Sequence, residues 1–304
     1  MNSRLIICQL GSRSILLFTL VLIFSVGVRA QTPAPTDEAG TKATSQSTKE
    51  KKLLKNILDD QRAIWTAPFH WGRSDKKWLV PLGLSTLTLI ATDRQTAAEL
   101  VEHGDNLQRL KISNRVSKIG SLYATGGLAG VLYLTGRATG NDRLRETGLL
   151  GAEALINSEI VVHGLKAASQ RQRIPTDDSS GEFFDGGNSF PSGHSINVWS
   201  LATVIAKEYG PHHRLVQVGA YGAAATVSVS RFTGRKHFLS DVLVGSALGY
   251  GIGNYVYHKR HDPALDGESE KQNKALMQSK WFPRIVPLYS QRAHVYGGML
   301  SWSF

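Results

Sequence analysis

The segment from Ser230 to Asp241, which reads SRFTGRKHFLSD, holds residue types that can bind and attack an oxyanion. Arg231 and His237 lie six positions apart, and Asp241 follows the histidine by four. Residues four apart share one helix face, so the carboxylate can hold one imidazole nitrogen while the other faces an electrophile. An arginine fork nearby suits phosphate or another tetrahedral oxyanion. The segment indicates nucleophilic chemistry on such an anion, with helix capping and surface pairing as the alternative role for the His–Asp pair.

Two clusters upstream carry further cationic and imidazole side chains. One is the segment 190–194, which reads FPSGH, and the other contains Lys166 and Arg173. In chain order the clusters read K-x6-R, P-S-G-H and S-R-x5-H-x3-D. This order resembles the motifs of the type 2 phosphatidic acid phosphatase (PAP2) superfamily, which also contains the vanadium haloperoxidases and the bacterial class A acid phosphatases. The resemblance covers about residues 115–260 and departs from the family pattern at Ile174, where the family has proline.

The resemblance implies a role for each matching residue in phosphoryl transfer. His237 is the expected nucleophile, Asp241 fixes its tautomer, and His194 is the expected general acid for the leaving group. The expected phosphate ligands are the side chains of Lys166, Arg173, Ser192 and Arg231 and the backbone N–H of Gly193. Because cationic side chains neutralise the phosphate oxygens, we expect no metal and no other cofactor. Arg171 either lines the pocket or faces solvent.

Three functions are compatible with these residues. The first is an exported, metal-independent phosphatase that hydrolyses lipid phosphates, lipid diphosphates or small phosphate esters through a phosphohistidine. The second is a vanadium-dependent haloperoxidase, because trigonal-bipyramidal vanadate resembles the phosphoryl transition state. The third is a non-catalytic protein that binds anions. Asp241 supports a histidine that must act as a nucleophile, which favours the phosphatase.

The first 50 residues predict export. Arg4 and Arg13 precede an apolar run at 15–28, and small residues flank position 30, so residues 1–30 fit a signal peptide, with an uncleaved anchor as the alternative. Residues 31–50 are rich in Thr, Ala, Ser and Pro and predict a flexible linker. The only cysteine is Cys8, so the mature chain would hold no disulfide.

The charge balance limits the partners. The formal net charge is +11, and removal of residues 1–30 would take away three arginines and no acidic residue, which leaves +8. A basic chain suits an anionic substrate or an anionic membrane surface. The sequence shows no helix–turn–helix, zinc finger or aromatic–basic ladder, so we expect no nucleic-acid partner.

Apolar segments separated by polar connections predict an all-α bundle of about six core helices. The segments are 78–92, 119–136, 148–168, 194–206, 215–230 and 238–257. Glycines recur four apart at Gly126 and Gly130 and again at Gly245, Gly249 and Gly253, which predicts close helix contact at both places. Glu153 and Glu159 interrupt the third segment, so a periplasmic bundle associated with the membrane is favoured over an integral one.

The flanks of the bundle carry two weaker patterns. A helix is predicted to begin near Lys51 and to end at Pro68, and the aromatic-rich stretch from Trp65 to Trp78 fits either a membrane interface or docking on the core. Residues 284–289 and 294–304 alternate and predict a short C-terminal β-hairpin. The predicted domains are therefore a PAP2-like helical domain at 51–260 and a polar tail with this hairpin at 261–304.

Overall fold

Helices form where apolar residues recur at helical spacing and end where Gly, Pro or a capping side chain interrupts them. The computed structural model describes residues 53–70, 72–102, 107–174, 181–211, 213–266, 284–290 and 295–301. The helices are α1 (Leu53–Thr66), α2 (Arg73–Glu102), α3 (Leu107–Ser117), α4 (Leu122–Thr139), α5 (Asp142–Ser169), α6 (Gly193–Tyr209), α7 (Arg214–Thr233) and α8 (Leu239–Arg260). Short 3-10 turns at Ala67–His70 and Lys118–Gly120 follow α1 and α3. The predicted all-α bundle is confirmed, whereas the predicted signal peptide and linker lie outside the described residues.

The centre of the bundle is formed by α5, α6 and α8. Their buried side chains make one apolar cluster, which contains Leu150, Ala154, Val161, Val162, Ile196, Val204, Ile252, Val256 and Tyr257. Helix α4 packs on α5, and α7 packs on α6. Because α5, α6 and α8 are covered on several sides, the groups that they carry at their ends are held rigidly.

The glycine face of α8 lets this helix approach α6 closely. A Cβ on Gly245 would lie 2.7 Å from Ser192 O, and one on Gly249 would lie 2.3 Å from Ile196 O. The predicted contact is therefore confirmed for α8. It is wrong for Gly126 and Gly130, where a Cβ would meet nothing within 4 Å, because α4 approaches α5 through another face.

The described chain holds more helix than the sequence predicts. Helix α2 passes through Pro81 and runs ten residues beyond the predicted end at Thr92, and α3 was not predicted. Near the C-terminus, strands β1 (Arg284–Ser290) and β2 (Val295–Ser301) pair antiparallel, as the alternation predicts. Among the described residues, no helix combines the length and apolarity that crossing a membrane requires.

Candidate active site

Four helix ends bring the predicted residues together. Helix α5 carries Lys166 in its last turn, and α7 carries Arg231 in its last turn. Helix α6 begins at Gly193, and α8 has Asp241 in its first turn. Helices that follow one another in the chain run antiparallel, whereas α6 and α8 run parallel, so the C-terminal ends of α5 and α7 lie beside the N-terminal ends of α6 and α8.

His237 and Asp241 form the predicted pair in a buried setting. The imidazole Nδ1 lies 3.4 Å from Asp241 Oδ2, and the two side chains are 2 % and 0 % exposed. The same carboxylate oxygen accepts a hydrogen bond of 3.0 Å from the backbone N–H of Phe238 at the start of α8. The Ser189 hydroxyl also donates to it. Asp241 is thus a helix cap and a histidine partner at once, and this network assigns the proton to Nδ1 and leaves Nε2 unprotonated.

Arg171 faces the protein interior and binds the carboxylate oxygen of Asp241 that does not face His237. Its guanidinium donates to Asp241 Oδ1 at 2.7 Å and to Asp93 Oδ2 on α2 at 2.9 Å. The rings of Phe183 and Phe238 cover it, with centroids 4.7 Å and 4.3 Å from Cζ. The predicted alternatives for Arg171, a pocket wall or solvent, are both wrong, because the side chain is only 2 % exposed and is engaged by two carboxylates. We call Arg171 and Asp93 the carboxylate clamp.

The cationic residues lie close enough to change one another's pKa. Burial lowers the pKa of Lys166, and the charge of Arg173 lowers it further. Burial also lowers the pKa of Arg231 to about 10, again with a contribution from Arg173. Three positive charges therefore share one region, which is the electrostatic setting that an anionic group requires.

Both histidines are neutral at neutral pH in the free protein. Burial lowers the pKa of His237 to about 4, although Asp241 acts in the opposite direction. Burial also lowers the pKa of His194 to about 4, and the charges of Arg231 and Lys166 contribute to this shift. The predicted imidazoles and cations shift one another's pKa values because they lie close together in one site.

The other predicted residues occupy distinct positions around this site. Arg173 is exposed and donates from Nε to Asn188 Oδ1 at 2.8 Å. Ser192 is the N-cap of α6, and its oxygen accepts from the Ser195 backbone N–H at 3.4 Å. A Cβ on Gly193 would contact only Val162 at 3.8 Å, so the surrounding protein atoms do not themselves require glycine there. This leaves the space in front of the α6 N-terminus open to a ligand.

Ile174, which replaces the family proline, is a core residue. It is buried with Ala97 on α2 and with Phe238. Ile174 therefore leaves the two preceding charges of the motif, Lys166 and Arg173, in place.

Beside the cationic region lies an open depression of about 540 Å³, lined in part by Lys166 and Asn188.

Several residues around the site were missed by sequence reasoning. Ser117, at the end of α3, accepts a hydrogen bond from Arg231. Ser189 and Ser240 bond to Asp241 and Asp93 respectively. Ser117, Ser189 and Asp93 lie outside the three motifs, and Ser240 occupies an unspecified position of the third, so no spacing rule in the sequence could have selected them.

Comparisons with known proteins agree with the motifs. The sequence model described as the PAP2 superfamily matches residues 148–263. A lipid A 1-phosphatase from Porphyromonas gingivalis is 37 % identical over 70 residues, which span 23 % of this chain and 16 % of that relative. The chain thus matches about one sixth of the length of this curated relative.

Two solved structures also resemble the fold. One is a transmembrane PAP2 type phosphatidylglycerolphosphate phosphatase from Bacillus subtilis, with 23 % identity, 60 % of this chain and 97 % of that chain covered, and a TM-score of 0.46. The other is LpxE from Aquifex aeolicus, with 18 % identity, 52 % and 91 % coverage, and a TM-score of 0.41. The match to the PAP2 superfamily model over 148–263 contains all three motifs.

Proposed function

We propose that this protein is a phosphatase that hydrolyses phosphate monoesters, with lipid phosphates as its preferred substrates, through a phosphohistidine on His237. The observation that carries the proposal is a buried, neutral imidazole fixed by Asp241 beside the charges of Lys166, Arg173 and Arg231. A desolvated imidazole with a free Nε2 is a nucleophile, and the cations neutralise the oxygens of the group it attacks.

In the first step Nε2 of His237 attacks phosphorus and the ester P–O bond breaks. Asp241 stabilises the positive charge that develops on the imidazole, and His194 protonates the leaving oxygen. Water then attacks the phosphohistidine while His194 takes its proton, and inorganic phosphate leaves. Since His237 is almost fully buried, phosphate enters from the side of Arg173, the exposed cation of the site.

His194 must hold a proton to act as an acid, yet its pKa in the free protein is about 4. A bound phosphate monoester brings up to two negative charges next to the imidazole. Opposite charge within a few ångströms favours the protonated form, so substrate binding raises the pKa of His194. The substrate therefore helps to charge the acid that it needs.

The preference for lipids is supported by the surface near the N-terminal end of the described chain. Phe69 and Trp78 are 85 % and 82 % exposed, which agrees with a membrane interface better than with docking on the core. Trp65 is 44 % exposed and lies against Gly164 on α5, so this residue is partly docked. We infer that the enzyme is exported and works at a membrane surface.

A substrate panel tests the function directly. Purified full-length protein, without added metal, should release phosphate from para-nitrophenyl phosphate and release it faster from phosphatidic acid or an isoprenyl diphosphate in micelles. A vanadate-loaded sample should not oxidise bromide. Bromide oxidation without phosphate release would assign the same residues to a haloperoxidase, and phosphate binding without either reaction would assign them to a non-catalytic protein.

Replacement of His194 by alanine should affect substrates according to their leaving groups. Para-nitrophenolate leaves without full protonation, whereas an alkoxide does not, so His194→Ala should slow an alkyl phosphate at least about tenfold more than para-nitrophenyl phosphate. The measurement is kcat for both substrates in wild type and variant. Equal losses would argue against the acid role.

The rate should persist into acidic solution. Because the pKa of His237 is lowered to about 4, its nucleophilic form dominates at pH 5. The limb of kcat/KM that reports protonation of His237 should therefore lie at about pH 4, once the ionisation of the substrate and of His194 is corrected for. At the alkaline end KM should rise as Lys166 and Arg231 lose their charges, Arg231 near pH 10. An acid limb at about 6.5, the ordinary value for histidine, would contradict this assignment.

A further inference from the structure

The end of the bundle away from the candidate active site holds a second cluster of ligating side chains. Glu146 lies in the first turns of α5, Glu208 lies at the end of α6, and His261 directly follows α8. Lys166 lies twenty residues along α5 from Glu146, a separation of about 30 Å at helical rise. This cluster is therefore independent of the phosphate site.

The three side chains present their donor atoms to one another at short range. His261 Nδ1 lies 3.2 Å from Glu146 Oε1 and 3.1 Å from Glu208 Oε1. One ligand atom from each residue lies within 4.8 Å of the others. Around a tetrahedral zinc with bonds of about 2.0–2.1 Å, neighbouring donor atoms are about 3.3 Å apart. The two separations from His261 match that value to within a few tenths of an ångström.

The surroundings of His261 favour coordination through Nδ1. Its Nε2 lies 3.2 Å from Asp266 Oδ2, and Asp266 is held by Arg143 at 3.1 Å. The ring of Tyr257 stacks on the imidazole at 4.5 Å and fixes its plane. Metal-bound histidines commonly donate their second N–H to a carboxylate, and this donation leaves the first nitrogen free for the ion.

A separate observation points to a missing partner at the same place. Glu208 is 1 % exposed, and its Oε2 has no hydrogen-bond partner among the described residues. This oxygen belongs to the carboxylate whose Oε1 faces His261. A buried carboxylate oxygen without a partner is costly, and a cation bound between Glu146 and Glu208 would satisfy it.

We propose that Glu146, Glu208 and His261 form a structural site for one divalent transition-metal ion, with Zn²⁺ the best match to two carboxylates and one imidazole. The ion ties together the start of α5 and the ends of α6 and α8. Glu208 Oε2 or a water molecule completes the coordination. The ion takes no part in the phosphoryl transfer proposed above.

The direct test is a titration of untagged, full-length, EDTA-treated protein with Zn²⁺ by isothermal calorimetry in a phosphate-free buffer. We expect one Zn²⁺ per chain and a higher unfolding temperature in its presence. X-ray absorption of the loaded protein should show only N and O ligands with a single imidazole. Absence of stoichiometric binding would overturn the proposal and would leave a proton on His261 as the group that joins the two glutamates.

Variants locate the ion. His261→Ala and Glu208→Gln should each lower the affinity for Zn²⁺ at least tenfold, and Asp266→Asn should lower it about tenfold through its effect on His261. His258→Ala removes an exposed histidine from the last turn of α8 and should leave affinity unchanged, as should His237→Ala in the candidate active site. Loss of Zn²⁺ binding in His237→Ala with retention in Glu208→Gln would overturn the site. Should His261→Ala fail to fold, Glu208→Gln, Asp266→Asn and the absorption spectrum still decide.

Discussion

His237→Ala should lower phosphate release by at least about 10⁴-fold, because loss of a covalent nucleophile removes the first bond-forming step and not merely a contact. The imidazole is buried next to Asp241, and no other described histidine lies against that carboxylate. Residual turnover would come from the cations alone. The measurement is kcat on an alkyl phosphate and on para-nitrophenyl phosphate, with rapid-quench trapping of the phosphorylated protein.

The control for this prediction is His258→Ala, which removes an exposed histidine from the last turn of α8, at the end of the bundle away from the candidate active site. It should keep activity within about twofold of wild type. An acid-labile phosphoprotein should accumulate in wild type and be absent from His237→Ala. Turnover in His237→Ala at the wild-type rate would remove this residue from the mechanism, whatever group replaced it.

The sequence was informative where spacing alone defines geometry. The interval of four between His237 and Asp241 predicted their pairing, although His237 lies just before α8 and does not share a helix face with Asp241. The glycines at 245, 249 and 253 predicted the close approach of α8 to α6. The motif residues lie at helix ends, and a bundle of antiparallel helices brings such ends together. These features depend on local periodicity, which a single sequence shows directly.

The structure added what depends on contacts between distant segments. Asp93 lies more than 70 residues from Arg171 and 148 from Asp241, at a place where the polar sequence DRQTAAELVE gave no sign that α2 would continue. Gly126 and Gly130 have the same spacing as the glycines of α8, yet they face open space. Spacing identifies a face of a helix but not whether a neighbour covers it, and only packing decides the latter.

We expect a second large effect from Arg171, a residue of the carboxylate clamp that has no assigned role in the three motifs. Arg171→Met should destabilise the fold by about 3–5 kcal/mol at neutral pH, because it leaves Asp93 and Asp241 buried without their shared cation. Burial by itself raises the pKa of Asp241, and His237 together with Arg171 more than offsets this and lowers it. The folded-state pKa is depressed, so the stabilisation is present above the unfolded value of about 3.9 and is lost as the pH falls through the folded value. The measurement is the free energy of unfolding by urea at pH 7 and at about pH 3, below the unfolded value, with a smaller loss expected at the lower pH.

A loss of stability alone would not show that Arg171 positions Asp241 and His237 for catalysis. Without the guanidinium the pKa of Asp241 rises, so the aspartate becomes protonated and releases His237 at a higher pH. The acid limb of kcat/KM in Arg171→Met should therefore move upward from about pH 4, with kcat reduced more than KM is raised. Arg171→Lys keeps the charge and should restore part of both effects, and the exposed Arg62→Met should show neither. An unshifted acid limb in a folded Arg171→Met protein would show that the carboxylate clamp has only a structural role. Asp241 would then set the tautomer of His237 without any contribution from Arg171.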